Sequence, residues 1–188
     1  LLAASMARYI EVEVRNQQAQ PGQEFALTPR VETTKDGVWY TNLYDLTAEV
    51  EHNDDGKQIQ FDVQCTLQDL HRNKVTDNAD YHLTYRFDDQ QVTITAEKAN
   101  GSISKSPSAL VVPSISPSGE TVRQPGESRI EIVKPGGTVV VEASVPLSIK
   151  ESEKGRIFNM VPGMECVPII ATLPREGGMR ASLTLSVV

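Results

Sequence analysis

Helix signals are what this chain of 188 residues lacks most. No segment repeats apolar residues at a sustained three-to-four spacing, which excludes a helical bundle and any fold built on crossover helices. Long apolar runs are missing too. A bilayer-spanning helix needs about 20 such residues in succession, so no membrane insertion is expected. Basic clusters are equally scarce. Arg72, Lys74, Arg123 and Arg129 are each interrupted by neutral or acidic neighbours, and the formal net charge is -7. Nucleic acid is therefore excluded as a non-specific partner, since binding it needs clustered Lys and Arg to displace phosphate counterions. Only two cysteines are present, Cys65 and Cys166, and they form no metal motif. Cys65 shares strand parity with Phe61, Val63 and Leu67 and is expected in the core as a small hydrophobe. A bridge to Cys166 would require an exporting compartment and Cα atoms within range.

What is present is alternation. In the last stretch Ala181, Leu183, Leu185 and Val187 alternate with Ser182, Thr184 and Ser186. Successive strand side chains point to opposite faces, so the first set shares a buried face and the second meets water. Ile10, Val12 and Val14 repeat the pattern, as do Tyr81, Leu83, Tyr85 and Phe87, then Val92, Ile94 and Ala96. A second strand is expected over residues 25–34, where Pro29 suggests an edge or a bulge. Lys35-Asp36-Gly37 is a tight turn leading into a strand over 38–44, and Asn53-Asp54-Asp55-Gly56 joins 47–52 to 57–67. Further strands are expected over 109–112, 129–133, 138–149, 156–161 and 165–173, with a polar loop over 69–80. Turn signals at this density describe an all-β fold, a large two-sheet antiparallel β-sandwich. Residues 6–188 read as one domain, and residues 1–5 as a cloning remnant or the tail of a preceding element.

Candidate chemistry is thin. His52, His71 and His82 share no metal-ligand spacing, and no metal or other cofactor is implied. Asn53 to Gly56 carries oxygen ligands but lacks the spaced acids and closing glutamate of a calcium loop, and the same residues suit a hairpin turn. There is no Gly-x-Ser-x-Gly elbow, and no Gly-rich loop precedes a helix. The densest aromatic segment holds Trp39, Tyr40 and Tyr44 beside Asp36, Asn42 and Asp45. Sugar C–H faces stack on such rings while acids and amides bind hydroxyls, which makes these three the candidate glycan-binding residues. Alternation separates Trp39 from Tyr40, and the competing reading makes Trp39 and Tyr44 anchors of the core.

Three stretches carry a resemblance: Phe25 to Glu32 running into Gly37-Val-Trp-Tyr-Thr-Asn-Leu-Tyr-Asp45, then Leu110 to Gly119, then Arg156 to Glu165. The chain resembles the β-sandwich domains that follow an α/α-toroid catalytic domain in bacterial polysaccharide lyases, broadly of the heparinase II/III-like kind. The resemblance implies a non-catalytic accessory domain of a carbohydrate-active enzyme. Its partner would be the catalytic domain of the same protein, with polysaccharide as a further one, in a periplasmic or extracellular setting. Two alternatives stand beside it. One is a structural or adhesion module of the bacterial cell surface. The other is a lyase base drawn from His71, Tyr81 and His82, although removing the sugar C5 proton also requires a cation to neutralise the uronate.

Overall fold

The computed structural model describes residues 29–75, 80–99, 106–115, 121–134, 136–149, 166–174 and 180–188. Within them the chain forms β1 (Arg30–Lys35), β2 (Val38–Thr41), β3 (Glu49–Asp54), β4 (Ile59–Thr66), β5 (Asp80–Phe87), β6 (Gln91–Lys98) and β7 (Ser108–Ile115). There follow β8 (Thr121–Gly126), β9 (Arg129–Lys134), β10 (Gly137–Ala143), β11 (Leu147–Ile149), β12 (Cys166–Thr172) and β13 (Arg180–Val187). They make two sheets, one of five strands ordered β11-β12-β7-β1-β2 and one of eight ordered β3-β4-β5-β6-β13-β10-β9-β8. Every described pairing is antiparallel. The fold is the expected two-sheet sandwich. No helix among the described residues is long and apolar enough to cross a membrane.

Directly paired residues share a face, so register converts alternation into rows. One row across the larger sheet reads His52, Phe61, Tyr85, Ile94, Leu183 and Ala143. Its middle members meet Val31, Leu110, Val112, Ile169 and Ala171 of the smaller sheet in one apolar core. Ala181, Leu183 and Leu185 are buried as expected, whereas Val187, near the end of β13, is 68% exposed.

Four local expectations change. Residues 138–149 are two strands, β10 in the larger sheet and β11 in the smaller one, with Ser144 to Pro146 carrying the chain across. The Ser144 N–H still donates to the Ser182 carbonyl at 3.0 Å, after which Pro146 has no N–H to extend the ladder. Residues 38–44 are a four-residue strand ended by a 3-10 turn over Asn42–Tyr44, capped by the Thr41 hydroxyl. Strand β8 was not expected. Pro125 weakens its signal, and the register slips between Arg123 and Gly126, as an edge bulge permits. Finally β1 lies inside its sheet, between β7 and β2, with Pro29 just before its first described residue. Pro113 and Pro168 sit within strands and face each other. Among the described residues β1 pairs with β7 only as far as Val111 and β11 with β12 only from Ile169, so neither proline falls within a described pairing to those outer strands. The expected strands over 10–14 and 156–161, the 1–5 tail and the first part of 25–34 lie outside the described residues.

Both expected turns form. Asp36 and Gly37 adopt φ values of 52° and 78°, the left-handed pair a two-residue hairpin requires. In the β3–β4 turn, Asp54 accepts from the Gly56 N–H, and Asp55 from those of Lys57 and Gln58. Gly137 has φ +145°, and a Cβ there would lie 3.1 Å from the Val188 carbonyl oxygen, which accepts the Thr138 N–H. Gly137→Ala should therefore cost about 1–3 kcal/mol, read as a lowered urea midpoint. An unchanged midpoint would show that this end of β10 relaxes freely.

Candidate functional site

The aromatic segment is built on the first hairpin. Val31 enters the core, so Arg30 and Glu32 stand on the opposite face of β1, and Trp39, paired with Thr34, joins them there. One Glu32 carboxylate oxygen accepts from Arg30 Nε at 3.0 Å and from the indole N–H of Trp39 at 3.2 Å. The Arg30 guanidinium lies 5.8 Å from the Trp39 ring centre, a cation–π distance, and Tyr44 meets Trp39 edge-on at 5.9 Å. The Arg30–Glu32 pair is buried, so each charge depends on the other. Tyr40 turns the other way and packs on the core. Trp39 and Tyr44 are thus brought together and Tyr40 is not. The sequence reading missed Arg30 and Glu32, although two charges flanking a core valine on a strand were the available signal.

The next segment crosses between sheets at Asp45. Thr41 exchanges backbone hydrogen bonds with Gln68, joining the end of β2 to the chain beyond β4. The buried Asp45 carboxylate accepts from the N–H and hydroxyl of Thr47, the N–H and hydroxyl of Thr66, and the Gln68 amide. Burial pushes its pKa up, but these hydrogen bonds outweigh burial and hold it below the usual carboxylate range.

A cleft of about 530 Å³ opens here, where β4 and β6 end and β5 begins. Four carboxylates line it, Asp45, Glu49, Asp80 and Glu97, against Lys98 and His82. Cys65 borders it as a buried free thiol, pushed up to about 12 by burial and then by Asp45 and Asp80. That is an inert thiol, not a nucleophile. The side chain of Cys166 lies outside the described set.

Of the three proposed base residues, Tyr81 and His82 border the cleft and His71 does not. Tyr81 is buried, its hydroxyl 2.6 Å from that of Ser108, and burial raises its pKa. His82 projects from the opposite face of β5, with Nε2 3.2 Å from Asp62. His71 sits in the loop that Asp69 organises by accepting from the His71 and Asn73 N–H groups. Among the described residues no three His, Cys, Asp or Glu side chains are grouped as a metal would need.

The described residues thus hold an aromatic cluster on β1 and β2 and a hydrogen-bonded hub at Asp45. The whole chain, residues 1–188, matches the family described as the ulvan lyase C-terminal domain. The chain belongs to that family. It is also 46% identical over 170 residues to a broad-specificity ulvan lyase of Formosa agariphila, a match covering 90% of this chain and 26% of that relative. The chain therefore corresponds to about a quarter of that relative's length. The expected polysaccharide lyase C-terminal domain is correct at this level, and the adhesion-module alternative gains nothing from the match.

Proposed function

We propose that this chain is the non-catalytic accessory β-sandwich of a polysaccharide lyase acting on ulvan, packed against the catalytic part of the same protein. The carrying observation is the 46% identity to an ulvan lyase of which the match spans only 26%. The geometry agrees with it. An elimination needs a base, a proton donor and a cation for the uronate, whereas the cleft sets four carboxylates against Lys98 and His82, and its tyrosine, Tyr81, is buried. The catalytic part is assigned the α/α-toroid, heparinase II/III-like architecture that the sequence resemblance implied, and the protein an exported, periplasmic or extracellular place. Any share in glycan binding falls to the half-buried Trp39 and Tyr44, since Tyr40 serves the core.

Each elimination leaves an unsaturated uronate that absorbs in the ultraviolet. This chain alone should produce no rise in that absorbance with ulvan, while the full-length polypeptide should. Steady absorbance growth from the chain alone, abolished by His71→Ala or His82→Ala, would overturn the accessory reading.

A further inference from the structure

Among the described residues the eight-stranded sheet is wider than the five-stranded sheet that covers it, and the surplus lies at the β3–β4 end. Along the row from Leu183 through Ile94 and Tyr85 to Phe61 and His52, burial gives way to exposure. Val50 is 61% exposed, Ile59 40% and Phe61 36%, although all three share the core face of their sheet. The surface is ordered by ring contacts. His52 stacks on Phe61 at 6.1 Å, and Phe61 meets Phe87 edge-on at 6.0 Å. A contiguous apolar patch on an ordered sheet marks a contact surface more often than a solvent face.

The charge around the patch selects its occupant. The two turns that border the patch, after β3 and after Phe87, carry Asp54, Asp55, Asp88 and Asp89 against a single lysine, Lys57, while Glu49 and Glu51 face the other side of the sheet. A second copy meeting this face symmetrically would bring the same carboxylates together, which is repulsive. A polyuronate would meet the same repulsion. What fits is a protein surface with an apolar centre and a rim of Lys and Arg. The relative supplies a source for such a surface, because about three quarters of its length lies beyond the match.

We propose that the overhanging face formed by Val50, His52, Ile59, Phe61 and Phe87 docks the catalytic part of the same polypeptide, through an apolar surface rimmed by basic residues. The proposal rests on the accessory-domain reading above and gives that contact its location. It assigns β3 and β4 the role of an interdomain face and leaves the acidic cleft outside the contact.

Hydroxyl-radical labelling tests it, with His71 as internal reference, since His52 and His71 are both exposed in this chain. The ratio of His52 to His71 labelling should be at least about fivefold lower in the full-length polypeptide than in the 188-residue chain. Val50→Lys in the full-length polypeptide should restore the ratio, because it sets a cation against a basic rim. Equal ratios in the two proteins would overturn the proposal. So would protection that grows with protein concentration, which indicates a second copy, or protection that appears only after ulvan is added. Elimination activity is read in the same full-length samples. An active protein with His52 labelled as in the chain alone refutes the docking face and spares the lyase reading. An inactive protein with His52 protected refutes the lyase reading and supports the docking face.

Discussion

Leu183→Lys should leave the domain largely unfolded, while Thr184→Lys, one position along β13, should change its stability by about 1 kcal/mol or less. Leu183 is fully buried, paired with Ile94 on one side and Ala143 on the other. An ammonium placed there has no carboxylate within the apolar core, and the combined loss of packing and burial of charge is about 5 kcal/mol or more. That is comparable with the whole stability of a typical domain, about 5–15 kcal/mol. Thr184 faces outward and lies opposite Glu142, so a lysine there gains a cross-strand partner. Urea midpoints of the two variants decide the matter. Equal midpoints would mean that β13 pairs one residue out of register, with its faces exchanged.

The contrast between Leu183 and Thr184 was legible before any coordinates, because period-two alternation encodes faces directly. The same holds for β5 and β6 and for the Asp36-Gly37 turn, where residue type and backbone conformation are linked locally. Sheet membership was not legible in this way. Val141 and Leu147 carry equivalent apolar signals, yet one belongs to the larger sheet and the other to the smaller, and the crossing is set by Pro146 and by where the Ser182 ladder ends. Alternation states which residues are buried and is silent on what buries them.

That silence also explains the site. Phe61, Val63, Cys65 and Leu67 form one alternating series, and the sequence placed them together in the core. Cys65 and Leu67 are buried, whereas Phe61 is partly uncovered where the described strands of the five-stranded sheet stop short of it. The difference between five strands and eight is a property of the whole fold. Trp39 illustrates the opposite case. Its neighbours Asp36, Asn42 and Asp45 suggested a sugar platform, but its indole is held by Glu32, seven residues earlier and across the hairpin. Asp45 instead serves the backbone and side chains of Thr47 and Thr66.

Asp45→Asn should destabilise the domain by about 2–4 kcal/mol near neutral pH, and the deficit should shrink in acid. The amide keeps the size of the carboxylate but replaces one acceptor oxygen with a donor. Oδ1 accepts from Thr47 and Gln68 and Oδ2 from Thr66, so either orientation of the amide strands N–H groups where the chain crosses between sheets. The pH dependence follows from the direction of the shift. Asp45 titrates below its ordinary value of 3.8 when folded, so the unfolded chain binds the proton more readily. Its contribution is complete above about pH 4 and is lost as pH falls through the lower, folded-state value. Asp55, Asp62, Asp69 and Asp88 are also lowered, but they are common to both proteins and cancel in the difference. Denaturation midpoints of the two proteins, compared at neutral pH and in steps below pH 4, should therefore converge. A deficit that stays constant into strong acid would show that Asp45 holds the crossing by shape alone and that its charge contributes nothing.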